Sequence, residues 1–270
     1  MPTFKFLKPI RKHEVKSLHS RFYILLLLLI MQMRMPILAT HNGRVELHIE
    51  YPGQLVKLIG EHLKYKITSL KLTGVVGSSD VALIRDMAGC DVDGKATNGK
   101  LAYVDLREAQ LVADGGLYYR KKSVCYMVNN VVGNCMFRDC KSLKRLYLPD
   151  TICKIGAEAF SGCSALEEIN VPNAVKSVGD LAFNGCIRLR HLRIPASVKQ
   201  IGRGAFLGMG TVSTCNLISE SEYPPIAQYV LFSSDNHIIL QVPQSAYEMY
   251  VISNWGDAQQ ILGDNECLSK

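Results

Sequence analysis

FRDCKSLKRLYLPDTICKIGAEA (137–159), FSGCSALEEINVPNAVKSVGDLA (160–182) and FNGCIRLRHLRIPASVKQIGRGA (183–205) follow one another without a gap, each 23 residues long. Phe137, Phe160, Phe183 and Phe206 fall at the same step, so four of the chain's eight Phe share one register. The step also relates Gly133, Gly156, Gly179 and Gly202, then Cys140, Cys163 and Cys186, then Pro149, Pro172 and Pro195. A fixed period of this length marks a stack of like structural units.

The columns have physical reasons. Arg145–Leu148, Glu168–Val171 and His191–Ile194 alternate polar and apolar residues, the period of a strand with one buried face. A proline follows each, where its missing N–H ends the strand without breaking a ladder. The Ile-Gly segment turns the chain, with the glycine expected to supply a conformation costly to other residues. The following Ala and Phe suit a short helical turn whose ring fills the interior. Each unit offers about seven apolar side chains worth roughly 1.5–3 kcal/mol apiece when buried. A lone unit has nothing to cover them, so the units must stack with strands ~4.8 Å apart in a parallel ladder.

The repeat F-x-x-C-x-x-L-x-x-[LI]-x-[LIV]-P-x-x-[IV]-x-x-[IV]-G-x-x-A resembles the BspA-like class of leucine-rich repeats, over about residues 132–209. It implies an α/β leucine-rich-repeat solenoid: a parallel β-strand ladder with short helical turns, flanked by irregular capping segments. Regular repeats are expected over 129–217, an amino-terminal flank over 40–128 and a carboxy-terminal cap over 218–270. In the first flank, Leu70/Leu72 and Val104/Leu106 read as strand positions. Downstream the register continues as Val212, Cys215 and Leu217, with Ile218 in place of the proline; Pro243 and Trp255 resemble the carboxy-terminal flank. Members of this class occur in exported and surface proteins of bacteria and in some protozoan parasites.

The chain carries 31 Lys and Arg against 24 Asp and Glu, a formal +7 with pI 8.9. A basic chain invites a nucleic-acid reading. Residues 1–39, however, hold seven basic residues and one acidic, so the rest nets only +1. Inside that segment 12 residues, Phe22–Met33, lie between Arg21 and Arg34. As a helix they would span roughly 18 Å, short of the ~30 Å hydrocarbon layer. A basic stretch, a short apolar run and Ala39 nearby fit a secretory signal peptide, with a short uncleaved membrane anchor or a buried core helix as the alternatives. The charge then describes the route of the chain. No nucleic-acid partner follows from it, and membrane contact is expected only through this segment.

No catalytic or metal motif is expected, and no cofactor. Cys140, Cys163 and Cys186 share one coil position and read as buried thiols acting as small hydrophobes, since a 23-residue spacing reproduces no zinc site. Nine cysteines in all leave at least one unpaired in an exported chain. The seven histidines form no H-E-x-x-H. Asp91 and Asp93 in DVDGK resemble a piece of a calcium loop lacking its remaining ligands, and a solvated loop is expected there.

The outward ladder positions are the candidate ligand-facing residues: Lys144, Arg145, Tyr147, Glu167, Glu168, Asn170, Arg190, His191 and Arg193, with Ser213, Thr214 and Asn216 continuing the row. Two readings of them stand. Basic, acidic and basic rows one strand apart can neutralise each other as cross-strand ion pairs. Alternatively they form a recognition face, with Tyr147 and Arg193 as anchors by residue type. Three functional classes follow. One is a non-enzymatic, secreted or cell-surface module of the bacterial envelope that binds a protein or surface-glycan ligand, as in host or cell adhesion. Another is a scaffold of an envelope complex, and the third an enzyme with an unrecognised site in 40–130.

Overall fold

The computed structural model describes residues 42–264, apart from Lys122, Gln228 and Val230. The signal-like segment 1–39 and Cys267 lie outside the described residues. In chain order, β1 (Arg44–Ile49), α1 (Gln54–Leu63), β2 (Ser69–Val76), α2 (Ser78–Met87) and β3 (Tyr103–Leu111) come first. A hairpin of β4 (Leu117–Tyr119) and β5 (Cys125–Tyr126) follows. Then two kinds of strand alternate: β6 (Val131–Val132), β7 (Arg145–Tyr147), β8 (Lys154–Ile155), β9 (Glu168–Ile169), β10 (Ser177–Val178), β11 (His191–Ile194), β12 (Gln200–Ile201), β13 (Cys215–Ser219) and β14 (Ile226–Ala227). The described chain ends with β15 (Ile238–Val242), α3 (Tyr247–Val251) and β16 (Gln260–Gly263).

The expected solenoid is present. One parallel sheet of nine strands runs β1-β2-β3-β7-β9-β11-β13-β15-β16. The three expected strands take their places in it as β7, β9 and β11, with Leu146 opposite Ile169. Leu70, Leu72, Val104 and Leu106 point inward from β2 and β3 and are buried. All apolar columns of the three quoted units are buried. The rings of Phe137, Phe160, Phe183, Phe206 and Phe232 form one stack, with successive centroids 5.7, 5.2, 6.2 and 5.9 Å apart. Trp255, fully buried, closes it against Phe206, Phe232 and Tyr250.

Several details depart from the sequence reading. A second parallel sheet, β14-β12-β10-β8-β6, forms at Ile155, Val178 and Ile201, in the segment before each column glycine that was expected only to turn the chain. The Ala-Phe segments are not helical. Their alternate N–H groups leave the coil altogether: Phe137 N donates to Ala159 O, Phe160 N to Ala182 O and Phe183 N to Ala205 O, each at 2.8 Å. A helix would keep those donors for carbonyls four residues back. The helices of the described residues lie instead in the flanks.

The column glycines also act differently from expectation. Gly156, Gly179 and Gly202 are absent from the left-handed region. A Cβ on them would come within 2.3–2.6 Å of a backbone nitrogen in the preceding coil, so they are glycine because the coils touch there. The left-handed positions are others, among them Gly162 (φ 76°) and Gly185 (φ 72°), which share a column with Asp139 (φ 59°).

The register after β11 slips as well. Leu192 pairs with Leu217 rather than with Cys215, because the turn through Gly208 and Gly210 is two residues longer than its predecessors. Met209 takes the buried Cys column, and Val212, expected inside, is 62% exposed.

The amino-terminal flank completes the first coil. In later coils the carbonyls of Ala157 and Ala159 accept from Cys135 N and Phe137 N of the coil before. The first coil has no such predecessor, and side chains stand in: Tyr118 Oη donates to Asn134 O at 2.8 Å and Arg85 Nη1 to Met136 O at 2.9 Å. Arg85 is fully buried, stacks 4.6 Å from the Tyr119 ring and also donates to Cys135 O. Buried carbonyls without donors would cost about 1–3 kcal/mol each.

Candidate ligand-binding face

The solvent side of the nine-stranded sheet carries two rows of side chains in register. One runs Ser69, Tyr103, Arg145, Glu168, His191 and Asn216 across β2, β3, β7, β9, β11 and β13. In the other, Lys71, Asp105 and Tyr147 stand side by side on β2, β3 and β7, and Arg193 faces Ile218 further along. Parallel pairing at equal register puts like positions a strand apart, so side-chain contact across strands is built into the fold.

Of the residues singled out from sequence, the structure joins Arg145, Tyr147 and Glu168. Tyr147 Oη donates to Glu168 Oε1 at 2.8 Å, and Arg145 Nε lies 3.4 Å from Glu168 Oε2. The bond to Glu168 raises the Tyr147 phenol above its ordinary value, and burial adds to it. Asn170 turns to the backbone: its Oδ1 accepts from Leu148 N at 2.6 Å and its Nδ2 donates to Leu148 O. Arg193 is held elsewhere, donating through Nη2 to Glu220 Oε2 at 2.6 Å and to Asn173 Oδ1 at 3.0 Å. Lys144, Glu167 and Arg190 sit at the strand entrances, where Glu167 N donates to Lys144 O and Asn216 N to Arg190 O. Lys144, Arg190 and His191 are exposed, with no ion-pair partner among the described residues. The cross-strand neutralisation thus exists for Arg145 with Glu168, while Arg193 is matched by Glu220. The two-residue slip moves Ser213 and Thr214 ahead of β13 and leaves Asn216 and Ile218 as its outward pair.

The larger opening on this face lies toward the amino-terminal flank. A cavity of about 610 Å³ spreads over β1, β2, β3 and β7, lined by Arg44, Lys71, Tyr103, Arg107, Arg145 and Tyr147 among others. Asp105 is the acidic residue in its lining. Arg107 donates to Asp105 through Nε at 3.0 Å and Nη2 at 2.6 Å, which holds the Asp105 carboxyl below its ordinary range. The Arg107 guanidinium lies 4.8 Å from the Tyr147 ring centre, and that of Arg145 lies 5.7 Å from Tyr103. Lys71 sits 2.9 Å from both Glu46 and Glu108, which raise its ammonium above its ordinary value. A smaller cavity of about 260 Å³ lies over β9, β11 and β13, with Glu168, His191, Arg193 and Ile218. Lys71, Tyr103, Asp105 and Arg107 were not among the candidates. Their signal was available: they are the polar alternates to Leu70/Leu72 and Val104/Leu106.

The aspartates of DVDGK are engaged locally. Asp91 Oδ1 accepts from Asp93 N and Lys95 N at 2.9 and 2.8 Å, and Asp93 pairs with Arg120. Among the described residues no group of three or more His, Cys, Asp or Glu is placed to hold a metal ion. The column cysteines are more than hydrophobes. Cys163 Sγ donates to Phe137 O at 2.9 Å and Cys186 Sγ to Phe160 O at 3.3 Å, across successive coils.

Residues 129–249 match the family description BspA type leucine rich repeat region in six copies. The chain carries a BspA-type leucine-rich-repeat region. Beyond the 23-residue register of the three quoted units, the BspA-type match takes in β13, β14 and β15, where the spacing changes. Among solved structures, the chain is similar to the T. pallidum leucine-rich-repeat protein TpLRR at 19% identity and TM-score 0.39, over 50% of this chain and 64% of that one. It is similar to the pneumococcal vaccine antigen PcpA at 15% identity and TM-score 0.38, over 83% of this chain and 68% of that one. The chain spans just under two thirds of the length of TpLRR. No curated protein matches it. Among the described residues no helix is long and apolar enough to cross a membrane.

Proposed function

We propose that this chain is a non-enzymatic recognition module displayed outside a bacterial cell, and that it binds a protein or surface ligand through the outward face of the nine-stranded sheet, as an adhesin does. The observation that carries this reading is the 610 Å³ opening on that face, where arginine and tyrosine side chains stand partly exposed on a rigid ladder. Arg and Tyr are the residue types that dominate binding hot spots, and a strand ladder presents them without the entropy of loops. The export half of the reading is supported by the basic and apolar pattern of residues 1–39.

Retention of the purified full chain on immobilised extracellular-matrix proteins and on whole cells tests the face. Tyr147→Ala with Arg107→Glu should abolish it, whereas Lys154→Glu, on the second sheet, should leave it unchanged. Equal behaviour of the two variants would remove the assignment to this face. Mass spectrometry of the protein from its native host tests the display: a new amino terminus near Ala39–His41 supports it, and an intact Met1 in the soluble cytoplasmic pool overturns it.

A further inference from the structure

Within the reading of this face as a recognition surface, we infer the chemistry of what its larger cavity takes: an extended peptide segment whose glutamate or aspartate side chains alternate with neutral or aromatic residues. Arg44, Lys71, Arg107 and Arg145 bring four cations to the lining, where Asp105 is the one carboxylate; Glu46 and Glu108 pair with Lys71, and Glu168 with Arg145, from beyond it. Two of the four stand over aromatic rings as well as in ion pairs. The Arg107 guanidinium rests over Tyr147 and that of Arg145 over Tyr103. Attraction to a ring face spends none of the guanidinium's five N–H donors, so those outside the ion pairs stay available to an approaching carboxylate.

Those edges are only partly used. Arg107 gives Nε and Nη2 to Asp105, leaving Nη1 free among the described residues, and Arg145 gives Nε to Glu168. Arg44 has no ion-pair partner among the described residues. Donors already fixed in place lose little freedom when a carboxylate arrives, the condition under which charged hydrogen bonds yield affinity.

The surroundings select among anions. Glu46 and Glu108 flank Lys71 with side chains 64% exposed, and Glu168 stands beside Arg145 at 46%. A densely charged polymer, such as a sulfated glycan or a nucleic acid, would lay some of its anions against these carboxylates, and like charges in proximity oppose binding. Single carboxylates spaced by neutral residues avoid that repulsion. Tyr103, 41% exposed between Ser69 and Arg145, offers a ring face to the intervening residue.

The test uses the full chain and fluorescence anisotropy with a labelled six-residue peptide of alternating glutamate and tyrosine. Its lysine–tyrosine counterpart and a heparin oligosaccharide are the comparison probes. The glutamate peptide should bind saturably and weaken about tenfold, equivalent to ~1.4 kcal/mol, with Arg107→Glu and again with Arg44→Glu. Lys154→Glu should change nothing, and unaltered circular dichroism and melting of each variant show that the fold persists. Rising salt should weaken binding, as for any exposed charge contact. Equal binding of the lysine peptide, heparin binding that is tighter and lost with the same variants, or a glutamate peptide indifferent to Arg107 and Arg44 would each overturn the inference. If the glutamate peptide fails to bind while Tyr147→Ala with Arg107→Glu still abolishes retention on matrix or cells, the ligand chemistry is wrong and the recognition face stands. If that retention is also insensitive, both fall.

Discussion

Arg85 Nη1, on α2 of the amino-terminal flank, donates to Met136 O at 2.9 Å, the carbonyl equivalent to those that accept a Phe N–H in every following coil of the quoted repeat. A side chain thus replaces the backbone of a coil that is not there. A solenoid's terminal unit must be covered, and here the cover is a buried cation whose partners are chiefly backbone carbonyls.

Arg85→Leu should therefore destabilise the chain by about 2–4 kcal/mol, since it strands buried acceptors that are otherwise met by a charged donor. Arg85→Lys should recover only part of this, because one ammonium cannot reproduce the planar fork that reaches Cys135 O, Met136 O and Asp91 O together. Urea unfolding followed by circular dichroism measures both. A loss below about 0.5 kcal/mol for Arg85→Leu, the range of ordinary surface substitutions, would show that the flank is not needed as a cap.

The glycine columns separate two physical costs that look alike in sequence. A Cβ on Gly179 would stand 2.5 Å from Ala157 N, a backbone atom that cannot step aside. A Cβ on Gly185 meets nothing closer than 3.6 Å, but the residue holds φ 72°. Gly185→Ala should cost about 1–2 kcal/mol, the left-handed penalty. Gly179→Ala should cost more, roughly 2–4 kcal/mol, because neighbouring coils must separate. Thermal or urea unfolding gives the order, and a reversed order would mean that the coils relax more easily than their spacing implies.

Much of this fold is visible in alternation and period. Leu146, Ile169 and Leu192 recur at 23 residues and alternate with polar neighbours, which fixes both the strand and its buried face. Leu70/Leu72 and Val104/Leu106 carry the same signal without the period. The second sheet does not announce itself, because strands such as Lys154–Ile155 are two residues long and leave no alternation to read. Arg85 and Tyr118 look like ordinary polar residues, and their partners lie 51 and 16 residues away. The Gly column was legible as a requirement but not as a cause: sequence cannot distinguish a left-handed turn from a close approach. For the candidate face, the strand positions were legible and the grouping was not. The pairing of Tyr103 with Arg145 and of Asp105 with Tyr147 depends on a junction between β3 and β7 that no repeat predicts.

The contact between Tyr147 and Glu168 has a pH signature. The carboxylate accepts the phenol hydrogen, so the phenolate would lose that bond and face a negative charge; partial burial raises the phenol further. A group whose folded value lies above its unfolded value contributes stability in full below the unfolded value, here near 10, and loses it as pH rises through the folded value. Glu168→Gln should therefore lower the Tyr147 phenol, and ultraviolet phenolate titration of the variant against the parent should show one tyrosine ionising earlier. With both side chains partly exposed, the accompanying loss of stability near neutral pH should stay within about 1 kcal/mol. Identical titration curves would place the Tyr147 hydroxyl away from Glu168 in solution.

The column cysteines, and the buried Cys215 of β13, should be nearly inert to alkylation while the chain is folded. Thiolate is the reacting form, and burial pushes the Cys140 thiol up to about 12 and that of Cys215 likewise to about 12. Cys163 and Cys186 are raised too, by the same loss of water. Cys153 is exposed, its Sγ 3.4 Å from Asn130 O. Brief iodoacetamide treatment at about pH 8, read by peptide mass spectrometry, should label Cys153 and spare Cys140, Cys163, Cys186 and Cys215 until urea is added. Because Cys163 Sγ also donates to Phe137 O, Cys163→Ala should cost about 1–3 kcal/mol, combining a lost hydrogen bond with a small cavity. Cys163→Ser should preserve the donor at the expense of a more polar buried group. Prompt labelling of Cys163 in the absence of urea would mean that neighbouring coils part often enough to admit reagent, contrary to a stack held at 5.7 and 5.2 Å on either side of Phe160.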